Sequence, residues 1–225
     1  MYKNKTISIV IPCYNEEEGV RHLISKMPTL VDEVIIVDNG STDNTAQVAK
    51  EMGATVVEEK IKGYGRAYKC GFRHAQGDII ITMDGDGTYP PESITLLLYI
   101  LFEEDVDFVS ARRWRSRSQK DKSPIRMLGN FILSTAMAVL FFCYVFDSQS
   151  GMWVFKREIL PKMNLTSNGM ALSEEVKIEA FSNRNILALE IPIYYGERIG
   201  KSKLNLWRDG FLNLFFLFKK RIGLV

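Results

Sequence analysis

Short apolar segments rich in β-branched residues alternate along the first half of the chain with amphipathic segments of helical length. Segments typical of buried parallel strands are residues 7–11, 34–37, 55–57 and 79–83. Helices are expected between them, over about residues 15–27, 43–52 and 65–75, with Asn15 placed to cap the first. This alternation predicts a doubly wound, mostly parallel α/β sheet.

A polar segment follows each of the four predicted strands. These segments are residues 12–16, 38–43, 60–66 and 84–88, and all of them are rich in carboxylates, glycine or hydroxyl groups. Ligands of such sheets lie beyond the carboxyl ends of the strands, so we expect one shared cleft rather than four ordinary turns.

The second half of the chain contains a long apolar segment. Residues 127–146 carry no charged side chain, and this length would allow a membrane-spanning helix. A span there would put the residues after Asp147 on the opposite membrane face from the predicted cleft. We therefore expect a pair of interfacial or buried helices over residues 124–146 instead.

The C-terminal segment also contains an apolar stretch, and this stretch is shorter. Residues 211–218 are apolar except for Asn213, and three basic residues follow. The segment is too short to span a membrane and fits an amphipathic helix at an anionic lipid surface, with a core helix as the alternative. The predicted organisation is a catalytic domain over residues 1–204, which includes the apolar helices, and a membrane-associating helix over residues 205–225.

Composition narrows the classes of function. The 225 residues are 46% hydrophobic and 25% charged, as in an average globular protein, and the net charge of +2 gives no reason to expect a nucleic-acid partner. Three separated cysteines without a CxxC pair, together with two histidines, argue against structural zinc and indicate a reducing compartment. Residues 1–6 are polar and lead directly into the first strand, so we expect no secretory signal and a cytoplasmic first half.

Asp84, Gly85 and Asp86 form the sharpest motif, at the end of a very apolar predicted strand. Two carboxylates one residue apart on a turn favour Mg²⁺ or Mn²⁺, which would in turn bind a diphosphate. The alternative is a turn whose aspartates only accept backbone hydrogen bonds. A calcium loop of the EF-hand type is excluded, because Tyr89 and Thr95 stand where it needs glycine and glutamate.

Two other enzyme classes fit this motif less well. A phosphohydrolase of the haloacid dehalogenase type carries a similar DGDGT sequence, but it places this sequence on its first strand and needs a later acidic pair. A dinucleotide-binding dehydrogenase needs a glycine-rich first turn, where this chain has PCYNE at residues 12–16.

Taken in order, four motifs resemble the signatures of family 2 glycosyltransferases, and within that family those of polyprenyl (dolichyl) phosphate hexose synthases. The motifs are IVIPCYNE at residues 9–16, VDNGSTD at 37–43, KGYGRA at 62–67 and DGDGTYPPE at 84–92. Two later pieces, DSQSG at residues 147–151 and RIGKSKL at 198–204, extend the resemblance over most of the chain.

The resemblance implies a GT-A fold with Rossmann-like topology and C-terminal interface helices. It also implies a nucleotide-sugar donor, GDP-mannose or UDP-glucose, and a Mg²⁺ or Mn²⁺ cofactor. The implied donor-binding residues are Pro12, Tyr14, Glu16, Asp38, Gly63, Arg66 and Asp84. The metal is implied at Asp84, Asp86 and Thr88, although Thr88 replaces a frequent glutamine and Asn39 replaces a frequent second aspartate.

A polyprenyl phosphate acceptor is implied as well, and its chemistry is consistent with the motifs. The second pKa of a phosphate is about 6, so the acceptor is anionic near neutral pH and needs no strong base. Cations are needed, because two anionic substrates must approach each other. The predicted catalytic residues are Asp86, Arg112, Arg126 and Arg198, with Arg113 as an alternative to Arg112, and the predicted acceptor-phosphate residues are Ser202 and Lys203.

The expected location is peripheral, at the cytoplasmic face of a membrane, and a membrane subunit is left open. Glu174 and Glu175 have two interpretations. A carboxylate in this part of the chain is the base in relatives that accept sugar hydroxyls, whereas Ser173, Glu174 and Glu175 also fit a helix start. We favour the helix start, and a polysaccharide-building glycosyltransferase is the main alternative function.

Overall fold

A computed structural model of the chain describes residues 1–114, 124–200, 203 and 205–225. The strands in this part are β1 (Ile7–Cys13), β2 (Glu33–Asp38), β3 (Thr55–Glu58), β4 (Ile79–Thr82), β5 (Phe108–Trp114), β6 (Trp153–Lys156) and β7 (Ala188–Tyr194). The helices are α1 (Glu17–Ser25), α2 (Thr45–Glu51), α3 (Tyr64–His74), α4 (Ser93–Glu103), α5 (Pro124–Phe141), α6 (Leu172–Ser182) and α7 (Leu206–Arg221), and a 3₁₀-helix covers Arg157–Lys162.

These strands form a single sheet in the order β3-β2-β1-β4-β6-β5-β7. The first four strands are mutually parallel, β6 is antiparallel to both of its neighbours, and β7 is parallel to β5. The predicted doubly wound, mostly parallel sheet is confirmed. Each of the four predicted strands is found within two residues of its expected ends.

Apolar side chains on both faces of β1 explain why the sheet is covered on both sides. Ile7, Ile9 and Ile11 are fully buried in a cluster with residues of α1, α2 and α4. Val10 faces the other way, into a cluster with residues of α3 and α6. Strands of a parallel sheet that is buried on both faces have nearly continuous runs of β-branched residues, and β1 has this pattern.

The start of α1 differs from the expectation. The N-cap residue is Glu16, without a side-chain cap, and Asn15 has φ of 53°. Asn15 instead accepts a hydrogen bond from the backbone N–H of Thr42 at 2.7 Å. Its side chain therefore joins the loops after β1 and β2 rather than capping the helix.

The apolar segment of residues 127–146 also differs, because it forms the single helix α5 and then an irregular segment rather than a pair of helices. By length and composition alone, α5 is long enough to cross a membrane. Leu133 and Met137 of α5 pack against Leu217 of α7, while most of the α5 surface is exposed. The chain after α5 returns to the end of β4, which agrees with the argument that the residues after Asp147 lie on the same side as the cleft.

Candidate active site

The carboxyl ends of β1, β2 and β4 border a cavity of about 320 Å³. Residues predicted from the sequence that line it are Pro12, Tyr14, Glu16, Gly63, Asp84, Asp86, Arg198 and Lys203. Residues that line it without having been predicted as donor-binding are Cys13, Asn39, Lys62, Tyr64, Ala67, Gly85, Met170 and Asp209. The polar segments therefore meet in one cleft, and the roles of the individual residues stay predictions.

Some predicted residues are absent from the described lining of the cavity. They are Asp38, Arg66, Thr88, Arg112 and Arg126. The guanidinium of Arg112 lies 4.7 Å from the ring centroid of Phe146, and Arg126 is exposed on the first turn of α5. Ser202 lies outside the described residues.

Asp84 projects from the end of β4 into the cavity. Its Oδ1 accepts hydrogen bonds from the hydroxyls of Tyr64 at 3.0 Å and Tyr68 at 3.4 Å. Burial and the charge of Asp86 raise the pKa of Asp84 to about 6, although the Tyr64 hydrogen bond and the Arg113 guanidinium act in the opposite direction. Each of these two carboxylates disfavours the charge of the other, and a bound cation would offset this repulsion.

Asp86 is buried, and both of its carboxylate oxygens have partners. Oδ1 accepts from the Thr88 backbone N–H at 3.0 Å and from the Thr88 hydroxyl at 2.6 Å. Oδ2 accepts from Nη1 of Arg198 at 2.6 Å. Thr88 thus orients Asp86, and its predicted contact with a metal stays a prediction.

Two cations, Arg198 and Lys203, lie at this end of the cavity. Arg198 Nη2 donates to Glu16 Oε1 at 2.5 Å, and Lys203 Nζ donates to the same oxygen at 2.7 Å. Lys203 Nζ also donates to the backbone carbonyl oxygen of Asn15 at 2.6 Å. These contacts bring Arg198 and Lys203 against the loop after β1.

A lysine and an aromatic ring lie together in the cavity lining. Lys62 Nζ is 2.7 Å from the hydroxyl of Tyr14 and 4.0 Å from its ring centroid. A half-buried ring beside an ammonium group provides a flat surface with adjacent positive charge, which suits a nucleobase and its phosphates.

Asn39 organises the neighbouring loop. Its Nδ2 donates to the carbonyl oxygens of Glu59 at 2.7 Å and Ile61 at 3.0 Å, and its Oδ1 accepts from the backbone N–H of Gly63 at 2.8 Å. An aspartate has no N–H to donate to two carbonyl groups. The replacement noted in the sequence therefore shapes the loop that carries Lys62 and Gly63.

The turn at residues 147–151 packs directly against Asp84. A Cβ atom on Gly151 would lie 2.5 Å from the Tyr64 hydroxyl and 2.9 Å from Asp84 Oδ1, so a larger residue would displace these two side chains. The Gly151 N–H donates to the Tyr89 hydroxyl at 2.8 Å, and its carbonyl oxygen accepts from the Thr82 hydroxyl at 2.8 Å.

Buried charges hold the other side of the same turn. Lys177 Nζ donates to the carbonyl oxygens of Asp147 at 2.6 Å and Ser150 at 2.9 Å, and burial lowers the pKa of Lys177 to about 8. Arg113 binds the Asp147 carboxylate through two nitrogens, at 2.6 and 2.7 Å. Burial alone would raise the pKa of Asp147, but Arg113 outweighs burial and holds it at about 2.

Glu174 is fully buried and is absent from the described cavity lining. Its Oε1 accepts from Nε2 of Gln149 at 2.5 Å, and burial raises the pKa of Glu174 to about 8. Residues 173–175 lie in the first turn of α6, as expected for a helix start, but Ser173 does not cap it, because α6 begins at Leu172 after Ala171 without a side-chain cap. A protonated, buried carboxyl group cannot take up a proton from a substrate hydroxyl at neutral pH.

Asp84 and Asp86 fit a divalent metal as a pair. Among the described residues no group of three His, Cys, Asp or Glu side chains is placed to hold an ion. Magnesium is commonly bound by one or two carboxylates, while substrate phosphates and water complete its coordination. The two aspartates would therefore hold Mg²⁺ or Mn²⁺ together with a diphosphate.

Sequence reasoning missed several of these supporting groups. Lys177 carries a weak signal, because a single lysine stands between apolar residues of α6. Tyr64 and Tyr68 lie four residues apart on α3, on one helix face. The contact of Gly151 with Asp84 carries no local signal, because it joins two distant segments of the chain.

The family model for glycosyl transferase family 2 matches residues 8–163. The chain belongs to this family. The low-salt glycan biosynthesis hexosyltransferase Agl6 of Haloferax volcanii is 32% identical over 219 residues, which cover 94% of this chain and 53% of Agl6. A dolichyl-phosphate hexose transferase of the same organism is 31% identical over 213 residues, which cover 93% of this chain and 91% of that protein. The chain thus spans about half of one relative and nearly all of the other.

Solved structures show that the fold is GT-A. Glucosyl-3-phosphoglycerate synthase of Mycobacterium tuberculosis, in complex with Mn²⁺, UDP-glucose and phosphoglyceric acid, has a TM-score of 0.80 at 23% identity. The match covers 98% of this chain and 80% of that one. Family membership overturns the phosphohydrolase alternative, and the predicted glycosyltransferase family is confirmed.

Proposed function

We propose that this glycosyltransferase domain transfers a hexose from a nucleotide sugar to a polyprenyl (dolichyl) phosphate, with inversion at the anomeric carbon and dependence on Mg²⁺ or Mn²⁺. The observation that carries the proposal is the cavity itself. It combines the aspartate pair with Arg198 and Lys203, while Glu174, the carboxyl group considered as a base, is buried away from it.

The acceptor chemistry explains why such a site needs no base. A phosphate oxygen of the acceptor attacks the anomeric carbon, the bond from that carbon to the diphosphate breaks, and the nucleoside diphosphate leaves. The attacking oxygen already carries negative charge, so no proton has to be removed. A bound divalent metal would stabilise the charge of the departing diphosphate.

Other residues of the chain would contact the nucleoside and compensate the charge of the phosphates. Tyr14 and Lys62 would contact the nucleoside, and Asn39 would hold their loop in place. Arg198 and Lys203 would reduce the repulsion between donor and acceptor phosphates, because guanidinium and ammonium groups bind phosphate oxygens strongly. In the structure Arg198 pairs with Glu16 and Asp86, and Lys203 pairs with Glu16.

Exposed apolar side chains support a membrane surface as the place of reaction. Large apolar residues are exposed along α5 and α7, namely Ile125, Met127, Leu128, Phe131, Ile132, Val139, Trp207, Phe211, Leu212, Phe215 and Phe218. Such an extensive apolar surface is typical of an interaction site, and a helix with one apolar face can lie in the lipid interface. We propose peripheral association with the cytoplasmic face.

The Lys219-Lys220-Arg221 cluster contributes less to this surface than its sequence indicates. Lys220 turns inward and pairs with Glu175 and Glu179, so it does not face lipid.

The experiment that tests the function uses labelled GDP-mannose and UDP-glucose with polyprenyl phosphate in the presence and absence of Mn²⁺. We expect metal-dependent label in a lipid that mild acid cleaves. Label in a carbohydrate polymer would instead indicate that sugar hydroxyls are the acceptor.

Asp86→Asn is the matching variant, because it keeps the shape of the side chain and removes its charge. We expect transfer to fall by about a hundredfold or more, since stabilisation of developing charge at a site of this kind is worth that much. The thermal midpoint should stay close to that of the unaltered protein. Activity near the normal level would remove Asp86 from the metal site.

A further inference from the structure

One face of α7 reaches from the cavity to the middle of α6. Its inward residues are Asp209, Asn213, Leu217 and Lys220, which are spaced to lie along one side of a helix. Asp209 lines the cavity, and Asn213 Nδ2 donates to Oε1 of Gln149 at 3.0 Å. A helix that only covered an apolar core would not place three polar groups on its inner side.

Lys220 lies at the end of this face, and its three donors all have acceptors. Nζ lies 2.9 Å from Glu175 Oε1, 2.8 Å from Glu179 Oε1 and 3.1 Å from the carbonyl oxygen of Asn164. An ammonium group has three N–H donors, so this set saturates it. The side chain of Lys220 is only 8% exposed and that of Glu175 is fully buried.

Glu175 connects Lys220 to a loop. Its Oε1 accepts from the backbone N–H of Thr166 at 3.0 Å and from the Thr166 hydroxyl at 2.7 Å. Its Oε2 accepts from the backbone N–H of Ser167 at 2.8 Å. The carboxylate therefore fixes the loop before α6, and without Lys220 it would be a buried charge that lacks its nearest cation.

The same loop supports the start of α3. The carbonyl oxygen of Asn168 accepts from the backbone N–H groups of Gly65 at 3.1 Å and Arg66 at 3.3 Å. A Cβ atom on Gly63 would lie 2.4 Å from that oxygen, and one on Gly65 would lie 2.5 Å from the carbonyl oxygen of Ser167. Backbone packs on backbone here, so a shift of the loop moves the Gly63 turn.

The start of α3 and the loop before α6 both border the cavity. Gly63 and Tyr64 line it from α3, and Met170 lines it from the supporting loop. We propose that Lys220 is a positioning residue for donor binding: it holds Glu175, which fixes residues 166–168 under the Gly63 turn. This inference rests on the proposed use of a nucleotide donor.

The test measures binding of GDP and UDP with Mn²⁺ by calorimetry for the unaltered chain, Lys220→Met, Lys220→Arg and the control Lys219→Met. Lys219 precedes Lys220 on the same helix and lies 4.8 Å from the ring of Phe215. We expect Lys220→Met to weaken binding of the preferred nucleotide by about tenfold to a hundredfold, the scale of a displaced binding group. Lys220→Arg should restore most of the affinity, and Lys219→Met should change it little.

In the transfer assay, Lys220→Met should raise KM for the donor more than it lowers kcat. The double variant with Lys220→Met and Glu175→Gln separates folding from positioning, because it removes the buried unpaired charge. We expect it to regain thermal stability and still bind the nucleotide weakly.

Native affinity in either Lys220→Met or the double variant overturns the positioning role while leaving the proposed function intact. An unaltered chain that binds neither nucleotide refutes the proposed function, and the positioning role is refuted with it.

Discussion

Two carboxyl groups with raised pKa values, half-buried Asp84 and fully buried Glu174, differ in what surrounds them. Asp84 lines the cavity beside Asp86, and burial followed by the charge of Asp86 raises the pKa of Asp84 to about 6. Glu174 is buried against Gln149, and desolvation is the first cause of its pKa of about 8. The carboxylate pair of Asp84 and Asp86 favours binding of a cation, whereas the burial of Glu174 favours its protonated form.

Glu174→Gln tests this difference at the residue scale. If the acceptor is a phosphate, transfer should change by less than about fivefold, whereas loss of a general base costs about a hundredfold or more. The measurement is kcat with polyprenyl phosphate as acceptor. A loss of activity of about a hundredfold or more would favour the polysaccharide-building alternative.

The same variant has an expected pH signature. Folding raises the pKa of Glu174 from its ordinary 4.5 to about 8, so the folded chain keeps a proton that the unfolded chain releases. This contribution is fully present below about pH 4.5 and falls as the pH rises towards 8. The thermal midpoint of Glu174→Gln relative to the unaltered protein should therefore increase between pH 5 and 8. A constant difference would contradict the burial of a protonated Glu174.

At the scale of elements, α1 and the loop after β4 approach each other unusually closely. A Cβ atom on Gly19 of α1 would lie 2.1 Å from the carbonyl oxygen of Gly85, between the two aspartates. Glycine inside a helix costs up to about 1 kcal/mol relative to alanine, so its presence there reflects this contact. The contact with α1 thereby sets the position of the loop that carries Asp84 and Asp86.

Gly19→Ala should displace that loop and reduce transfer by about tenfold or more, because small displacements of reacting groups are costly. Gly129→Ala in α5 is the matched control, since a Cβ atom there meets nothing within 4 Å. We expect the control to keep its activity and to match or exceed the normal thermal midpoint. Equal activity of both variants would show that the loop does not depend on α1.

At the scale of the whole molecule, the apolar surface of α5 and α7 lies apart from the two core clusters that cover the sheet. The small cluster between these helices is built from residues such as Leu133, Met137 and Leu217, while Phe131 and Phe215 remain exposed. The molecule therefore has an extensive apolar surface on α5 and α7. Helix α7 also reaches the cavity, through Asp209.

A double variant, Phe131→Ser with Phe215→Ser, should lose most of its binding to anionic lipid vesicles in a flotation assay. Loss of two aromatic side chains from an interfacial helix surface removes several kcal/mol of transfer free energy, on the order of 2 to 3 per side chain. Leu96→Ser on α4 is the control, because Leu96 is also exposed but lies on another helix. Unchanged flotation of the double variant would place the lipid contact elsewhere.

The sequence by itself determined the parallel part of the sheet and the cleft at its edge. Runs such as residues 7–11 and 79–83 are buried on both faces, and parallel strands joined by helices bring their carboxyl ends to one side. The aspartate pair and the loops after β1 and β2 were therefore predictable from local pattern and connectivity.

Only the tertiary structure decided how the second half of the chain completes the site. The insertion of β6, the return of Gly151 to Asp84 and the inward turn of Lys220 depend on contacts between segments far apart in sequence. Local periodicity describes which face of an element is apolar, and it carries no information on which distant backbone or charge that face will meet. For that reason one basic cluster was assigned to lipid in full, although packing buries its central lysine against two glutamates.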